Sequence, residues 1–135
     1  MTARLLILSF FALIPLTMKA QDTISPKQNS VFVPIAKYIE QGDAECLSAW
    51  FAKNLEINVM GTSSNCSRNQ ARQILKNFFT DYTPKSFSIV YKSGNYPMRY
   101  AVGNLVGGGN VFSVTILVKM NDSGNYIEQL KIEKR

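Results

Sequence analysis

The sequence predicts an α+β fold, with two to three N-terminal helices packed on one side of an antiparallel sheet. Three observations carry that expectation. Apolar residues between Val31 and Tyr82 recur mostly at helical spacing, whereas those after Pro84 alternate with the period of a strand. Within the second half, Phe112, Val114, Ile116, Val118 and Met120 fall on one strand face, and Ser113, Thr115 and Lys119 on the other. A sheet with one apolar face is covered by helices on that side and open to water on the other.

The chain begins with Arg4, an uncharged run from Leu5 to Thr17, then Met18-Lys19-Ala20 ahead of the polar Gln21-Asp22. A basic start, an apolar stretch of about 7–15 residues and a small residue at the cut define a secretory signal. A spanning helix needs roughly 20 apolar residues, and this run is shorter and broken by Pro15. Residues 1–20 are therefore expected to be a signal peptide cut after Ala20. The mature protein is then exported, periplasmic or secreted, with no transmembrane segment left in it. No cysteine follows the apolar run, which argues against a lipoprotein anchor.

Residues 21–30 (QDTISPKQNS) are polar, contain Pro26 and read as a flexible leader. Asp22-Thr23-Ile24 resembles a short O-glycosylation signal of exported proteins in some Gram-negative bacteria. Residues 31–135 are expected to form one domain. Its first helix runs from Val31 to Gln41, with Val31, Ile35, Tyr38 and Ile39 on one stripe and Pro34 in the first turn, where its missing N–H costs nothing. Gly42 stops this helix and Asp43 caps the next. That second helix is expected over Ala44 to Lys53, with Ala44, Leu47, Trp50 and Phe51 on one face. Leu55 to Val59 alternates as a strand closed by Gly61, and a loop containing Cys66 leads on. Ser67 and Gln70 make a capping-box pattern ahead of the stripe Ala71, Ile74, Leu75, Phe78 and Tyr82, so a third helix follows, ended by Pro84.

Four strands are expected after it. In the first, Phe87, Ile89 and Tyr91 alternate with Ser86, Ser88 and Val90; Ser93-Gly94-Asn95 then turns the chain into a strand from Tyr100 to Val106. Gly107-Gly108-Gly109-Asn110 is a hairpin turn, because glycines reach positive φ at little steric cost. The long strand Val111 to Met120 and the turn Asn121 to Asn125 lead to the last strand, Tyr126 to Glu133. A phosphate loop is not indicated by the three glycines, since that motif needs a Lys-Ser/Thr and a following helix.

Charge narrows the partners. Arg4 and Lys19 leave with the signal, so 13 of the 15 Lys+Arg remain against 9 Asp+Glu, a net +4 on residues 21–135. The positives are scattered from Lys27 through Arg72 and Lys92 to Lys131, not gathered into the basic face that nucleic-acid binding requires. No nucleic-acid partner is expected. Cys46 and Cys66 are the two cysteines. In an oxidising compartment they form either a disulfide, whose loop of about 20 residues contributes on the order of 3 kcal/mol, or two separate, partly buried thiols. With no histidine and no further cysteine, neither a metal site nor another cofactor is expected.

Gly42-Asp43-Ala44, Ala71 to Phe79 (ARQILKNFF), Tyr100 to Leu105 (YAVGNL) and Gln129 to Glu133 (QLKIE) resemble a family of exported Bacteroidetes proteins classed as a domain of unknown function. The order of helices and strands is also similar to the nuclear-transport-factor-2-like (cystatin-like) superfamily. That resemblance implies a strongly curved sheet wrapped around a long helix, a cone with a pocket. It carries over no catalytic residue. Such cones in enzymes hold an Asp/His or paired acidic dyad; this chain lacks histidine, and its acids fall in the leader, at caps, at turns or on polar strand faces. Glu128 is the exception, expected on one strand face with Tyr126, Leu130 and Ile132; it is either a solvated or ion-paired carboxylate or the acid–base group of a dehydratase or isomerase. Of the many aromatics, Trp50, Phe79, Tyr91 and Tyr100, together with Glu128, are the candidates to line the pocket, the alternative being that the rings fill the core. The sequence thus points to a non-catalytic small-ligand-binding or accessory module, with a small ligand or an envelope protein as partner. Leu117 and Ile127, interrupting polar strand faces, further suggest a homodimer or a protein–protein contact through the sheet.

Overall fold

The computed structural model describes residues 31–135; the expected signal peptide and leader lie outside them. Among the described residues three helices pack on one face of a six-stranded sheet. In chain order these are α1 (Phe32–Gln41), α2 (Ala44–Ser48), β1 (Phe51–Val59), β2 (Thr62–Ser67), α3 (Arg68–Asp81), β3 (Pro84–Asn95), β4 (Met98–Gly107), β5 (Asn110–Asn121) and β6 (Gly124–Lys134). The strand order is β2-β1-β6-β5-β4-β3. All neighbours are antiparallel except β1 and β6, which run parallel. No described helix is long and apolar enough to cross a membrane.

The helices begin and end where their local chemistry dictates. Gly42 closes α1 in the left-handed region (φ 67°), and Asp43 caps α2 by accepting a hydrogen bond from the Cys46 N–H at 2.9 Å. Ser67 and Gln70 form the full capping box of α3, the Ser67 hydroxyl accepting from the Gln70 N–H and the Gln70 side chain accepting from the Ser67 N–H. Ala71, Leu75, Phe78 and Phe79 face inward from α3. Phe78, Tyr82 and Phe112 meet edge-on or tilted, with ring centroids 5.0–5.1 Å apart, which joins the end of α3 to the long strand β5.

Two segments differ from expectation. The second helix ends at Ser48, not Lys53: the Ala49 and Trp50 N–H groups close its last turn on Cys46 and Leu47, and the chain then extends. Phe51 pairs with Ile127 of β6, and the Ile127 N–H donates to the Trp50 carbonyl at 2.6 Å. A long-range parallel pairing therefore claims residues whose spacing alone reads as helix. The expected loop after Gly61 is β2, folded back on β1 through the two-residue turn Met60-Gly61. Both turn residues have positive φ (49° and 91°), the geometry that matches the twist of a tight hairpin.

Irregularities bend the sheet and re-aim its side chains. In β3 the register slips between Ile89 and Tyr91, so Val90 is an extra residue. Phe87 and Ile89 sit opposite Leu105 and Gly103, whereas Tyr91 pairs with Val102 and falls on the other face, correcting the expectation that all three share one. The strand also runs on through Ser93-Gly94-Asn95, and the turn is at Tyr96-Pro97. A second slip in β6 leaves Glu128 unpaired against β5, between the pairs Leu117–Gln129 and Val118–Ile127. Such bulges add twist and bend to the strand that carries them.

On the helical side β4 and β5 present Ala101, Leu105, Phe112, Val114, Ile116, Val118 and Met120, all buried. A fully buried residue of this size stabilises the fold by about 1.5–3 kcal/mol relative to exposure. The far face carries Tyr100, Val102, Asn104, Ser113, Thr115 and Lys119, partly or fully open to solvent.

Candidate functional site

The residues expected to line one pocket are divided by the sheet. Phe79 is buried on α3 with its ring 5.8 Å from Phe78, on the helical side. The rings of Tyr91 and Tyr100 meet diagonally across β3 and β4 on the far face, with centroids 5.9 Å apart. Tyr91 is 53% exposed, and its phenol is held below the ordinary range by hydrogen bonds from Ser93 and then from Tyr100. Trp50 packs part-buried against the core at the start of β1. The structure thus brings Tyr91 and Tyr100 together and holds Phe79 on the opposite side of the sheet, so these do not share a wall.

Glu128 stands at the β6 bulge, on a shallow cleft of about 330 Å³ bordered also by Asn54, Leu55, Glu56 and Asn65. It does not share an inward face with Leu130 and Ile132: the bulge places Ile127 in that series instead. Its neighbour Glu56 is already engaged, accepting from Ser63 and from Gln129 at 2.9 Å each. Both carboxylates of this cleft are set among amides and hydroxyls on the sheet surface.

A second cleft, about 450 Å³, lies where α1 meets α2 and is bordered by Asp43, Glu45, Arg72 and Lys76. Arg72 and Glu45 approach to 3.6 Å across it. Both side chains are well exposed, and such pairs contribute little.

The cysteines are free. Cys46 is exposed on α2 and Cys66 is buried on β2, paired in register with Leu55. Because β2 is a strand and not a loop, it turns Cys66 under the helical layer while Cys46 faces solvent. Hydrogen bonding to the Asp43 carboxylate, chiefly, raises the Cys46 thiol above its ordinary range; burial raises Cys66. Neither thiol is poised as a nucleophile.

One residue in the interior was not singled out by sequence. Arg99, on β4, is 3% exposed, and its Nε has no hydrogen-bond partner among the described residues. It lies on the inward register of β4, between Gly94 of β3 and Val118 of β5 and two residues from Ala101. The readable signal was its phase: Arg99 alternates with Ala101, Gly103 and Leu105, so a charge stands where the pattern calls for an apolar residue.

Residues 32–133 match the model of a domain of unknown function, DUF4783. The chain belongs to the DUF4783 family. A DUF4783 protein from Bacteroides ovatus is 20% identical, with a TM-score of 0.72 over 76% of this chain and 93% of that one. A Nostoc punctiforme domain of unknown function with a cystatin-like fold follows at 13% identity and TM-score 0.67, covering 83% of this chain and 80% of its own. An NTF-2-like protein of unknown function from Silicibacter pomeroyi is 14% identical with a TM-score of 0.60, covering 80% of this chain and 92% of its own. At these identities the likeness shows the fold: helices on a curved, mostly antiparallel sheet. No curated protein matches the sequence.

Proposed function

We propose that this DUF4783 chain is an exported, non-catalytic module of the cell envelope that holds a small ligand on the helical, inward side of its sheet. The observation that carries the reading is the inward face of β4 and β5. It is apolar and buried from Phe112 to Met120, yet it includes Arg99, a buried charge whose Nε has no hydrogen-bond partner among the described residues. A core built for stability alone does not keep such a group, because an uncompensated buried charge costs several kcal/mol. Glu56 and Asp43 support the non-catalytic part, being committed to hydrogen bonds that hold β1 and cap α2. The test is native mass spectrometry of mature protein taken from its own cells. A co-purifying small molecule, released on unfolding, is the expected result; protein that carries none and leaves the fluorescence of the neutral apolar probe N-phenyl-1-naphthylamine unchanged would reject the reading.

Pairing of two copies through the far face belongs to the same proposal. Its earlier basis is halved, since Ile127 is 0% exposed and part of the core. Support comes instead from Tyr91, Tyr100 and Met98, which lie on that face of β3 and β4 with Tyr91 and Met98 exposed. Light scattering is expected to give the dimer mass, and a monomer at high concentration excludes it.

A further inference from the structure

We propose that the ligand of the inward face is an apolar molecule with a carboxylate head, and that the Arg99 guanidinium is what binds the head. The inference rests on the ligand-binding reading above and adds the chemical class. Its basis is the mismatch between Arg99 and the apolar residues that flank it. The row of residues across the sheet at its level is Gly94, Arg99, Val118, Ile127 and Phe51; the next row is Lys92, Ala101, Ile116, Leu130 and Ile57. Apart from Lys92, which is exposed on the edge strand β3, these neighbours are apolar, and all of those but Gly94 are buried. Among the described residues the Arg99 Nε finds no hydrogen-bond acceptor, and neither ion pair of the fold involves its guanidinium.

A guanidinium stays charged at any physiological pH, so it cannot relieve its burial by losing a proton as a lysine would. What relieves it is an anion. The planar fork of donors matches a carboxylate in two parallel N–H···O bonds, which are short and strong when shielded from water. The apolar row beside it then receives the rest of the molecule. The level of Arg99 is the end of the sheet away from Gly42, Pro84 and Tyr82, where α1 and α3 finish. A head group held there leaves the tail directed along the sheet toward the helices.

The experiment uses the mature protein, sodium octanoate as the carboxylate probe, octanamide as its neutral counterpart and inorganic phosphate as a bare anion. Calorimetry and thermal unfolding are run on wild type and on Arg99→Met, which keeps length without charge. The expected result is that octanoate binds wild type at least tenfold more tightly than octanamide does, and that Arg99→Met removes the difference. Phosphate gives no protection. Without ligand, Arg99→Met unfolds at a temperature about 5 °C higher, because the unpaired charge is gone. Equal binding of octanamide and octanoate, unchanged by Arg99→Met, overturns the anion assignment and leaves the ligand-binding reading standing. Binding of neither probe, with no co-purified molecule, overturns both. Protection by phosphate that depends on Arg99 overturns the carboxylate class. A fall of several degrees in the unliganded variant overturns the proposal by another route, since it shows that Arg99 has a structural partner in solution.

Discussion

Asp43 acts on two groups of one neighbour. Its carboxylate accepts the Cys46 N–H, which caps α2 and holds its own pKa below the ordinary 3.8; its hydrogen bond to the thiol pushes the Cys46 pKa up. A carboxylate whose folded pKa is depressed stabilises the fold above its unfolded pKa and loses that contribution as pH falls through the folded value. Asp43→Ala is therefore expected to cost about 1 kcal/mol at pH 7, the usual value of a lost cap, with the gap to wild type narrowing below pH 3.8. Urea unfolding at pH 7 and pH 3 measures it. The thiols separate the same way. Iodoacetamide at pH 8 is expected to label Cys46 in the folded protein and Cys66 only as it unfolds, and Asp43→Asn is expected to speed labelling of Cys46 by removing the charge beside it. Equal protection of both cysteines, or labelling that requires reductant, would contradict the free and exposed Cys46.

At the scale of elements, local signals were enough for α3 and not for β1 and β2. The α3 boundaries rest on Ser67, Gln70 and Pro84, each acting within a turn of its own position, and Ser67→Ala is expected to lose about 1 kcal/mol by chemical denaturation. Over Ala44 to Lys53 the stripe Ala44, Leu47, Trp50, Phe51 fits a helix equally well, and only pairing of Phe51 with Ile127 decides against it. The β1–β2 hairpin was hidden because Met60, at φ 49°, is not a residue type that announces a turn of this kind. Strand β4 carries a further close approach. A Cβ on Gly103 would collide with the Phe87 ring and stand 2.8 Å from the Ser88 carbonyl oxygen, on the neighbouring strand. Gly103→Ala is expected to cost about 2–3 kcal/mol, read as a lowered urea midpoint, because the ring and the β3 backbone must both give way. A midpoint within error of wild type would mean that β3 is not held against β4 there.

For the whole molecule, the prediction that bears most on function concerns where the chain starts. Intact-mass measurement on protein from the exporting host is expected to find Gln21 as the first residue, with residues 1–20 removed. A mass that retains Met1, or cell fractionation that leaves the protein with cytosolic markers, would remove the envelope from the proposed function. The candidate site is where sequence reading fell furthest short. Trp50, Phe79, Tyr91, Tyr100 and Glu128 were chosen by residue type, and two bulges, at Val90 and Glu128, decide which side of the sheet their neighbours face. A slip of one residue exchanges the faces of everything beyond it. Tyr91 left the inward series that way, and Ile127 entered it.

What the sequence determined by itself is whatever depends on neighbours in the chain: the apolar run of residues 5–17, the Gly42 stop, the Asp43 and Ser67 caps, the alternation of β4 and β5, and the α+β class that follows from them. The tertiary structure decided what depends on residues far apart. It set the parallel pairing of β1 with β6, the end of α2, the face taken by Tyr91 and Glu128, and the burial of Arg99. The physical reason is one of range. Caps and stripes are set by hydrogen bonds and side chains three or four residues apart, whereas strand register is chosen by which whole face can be buried, and that choice is made between segments 76 residues apart, as Phe51 and Ile127 are.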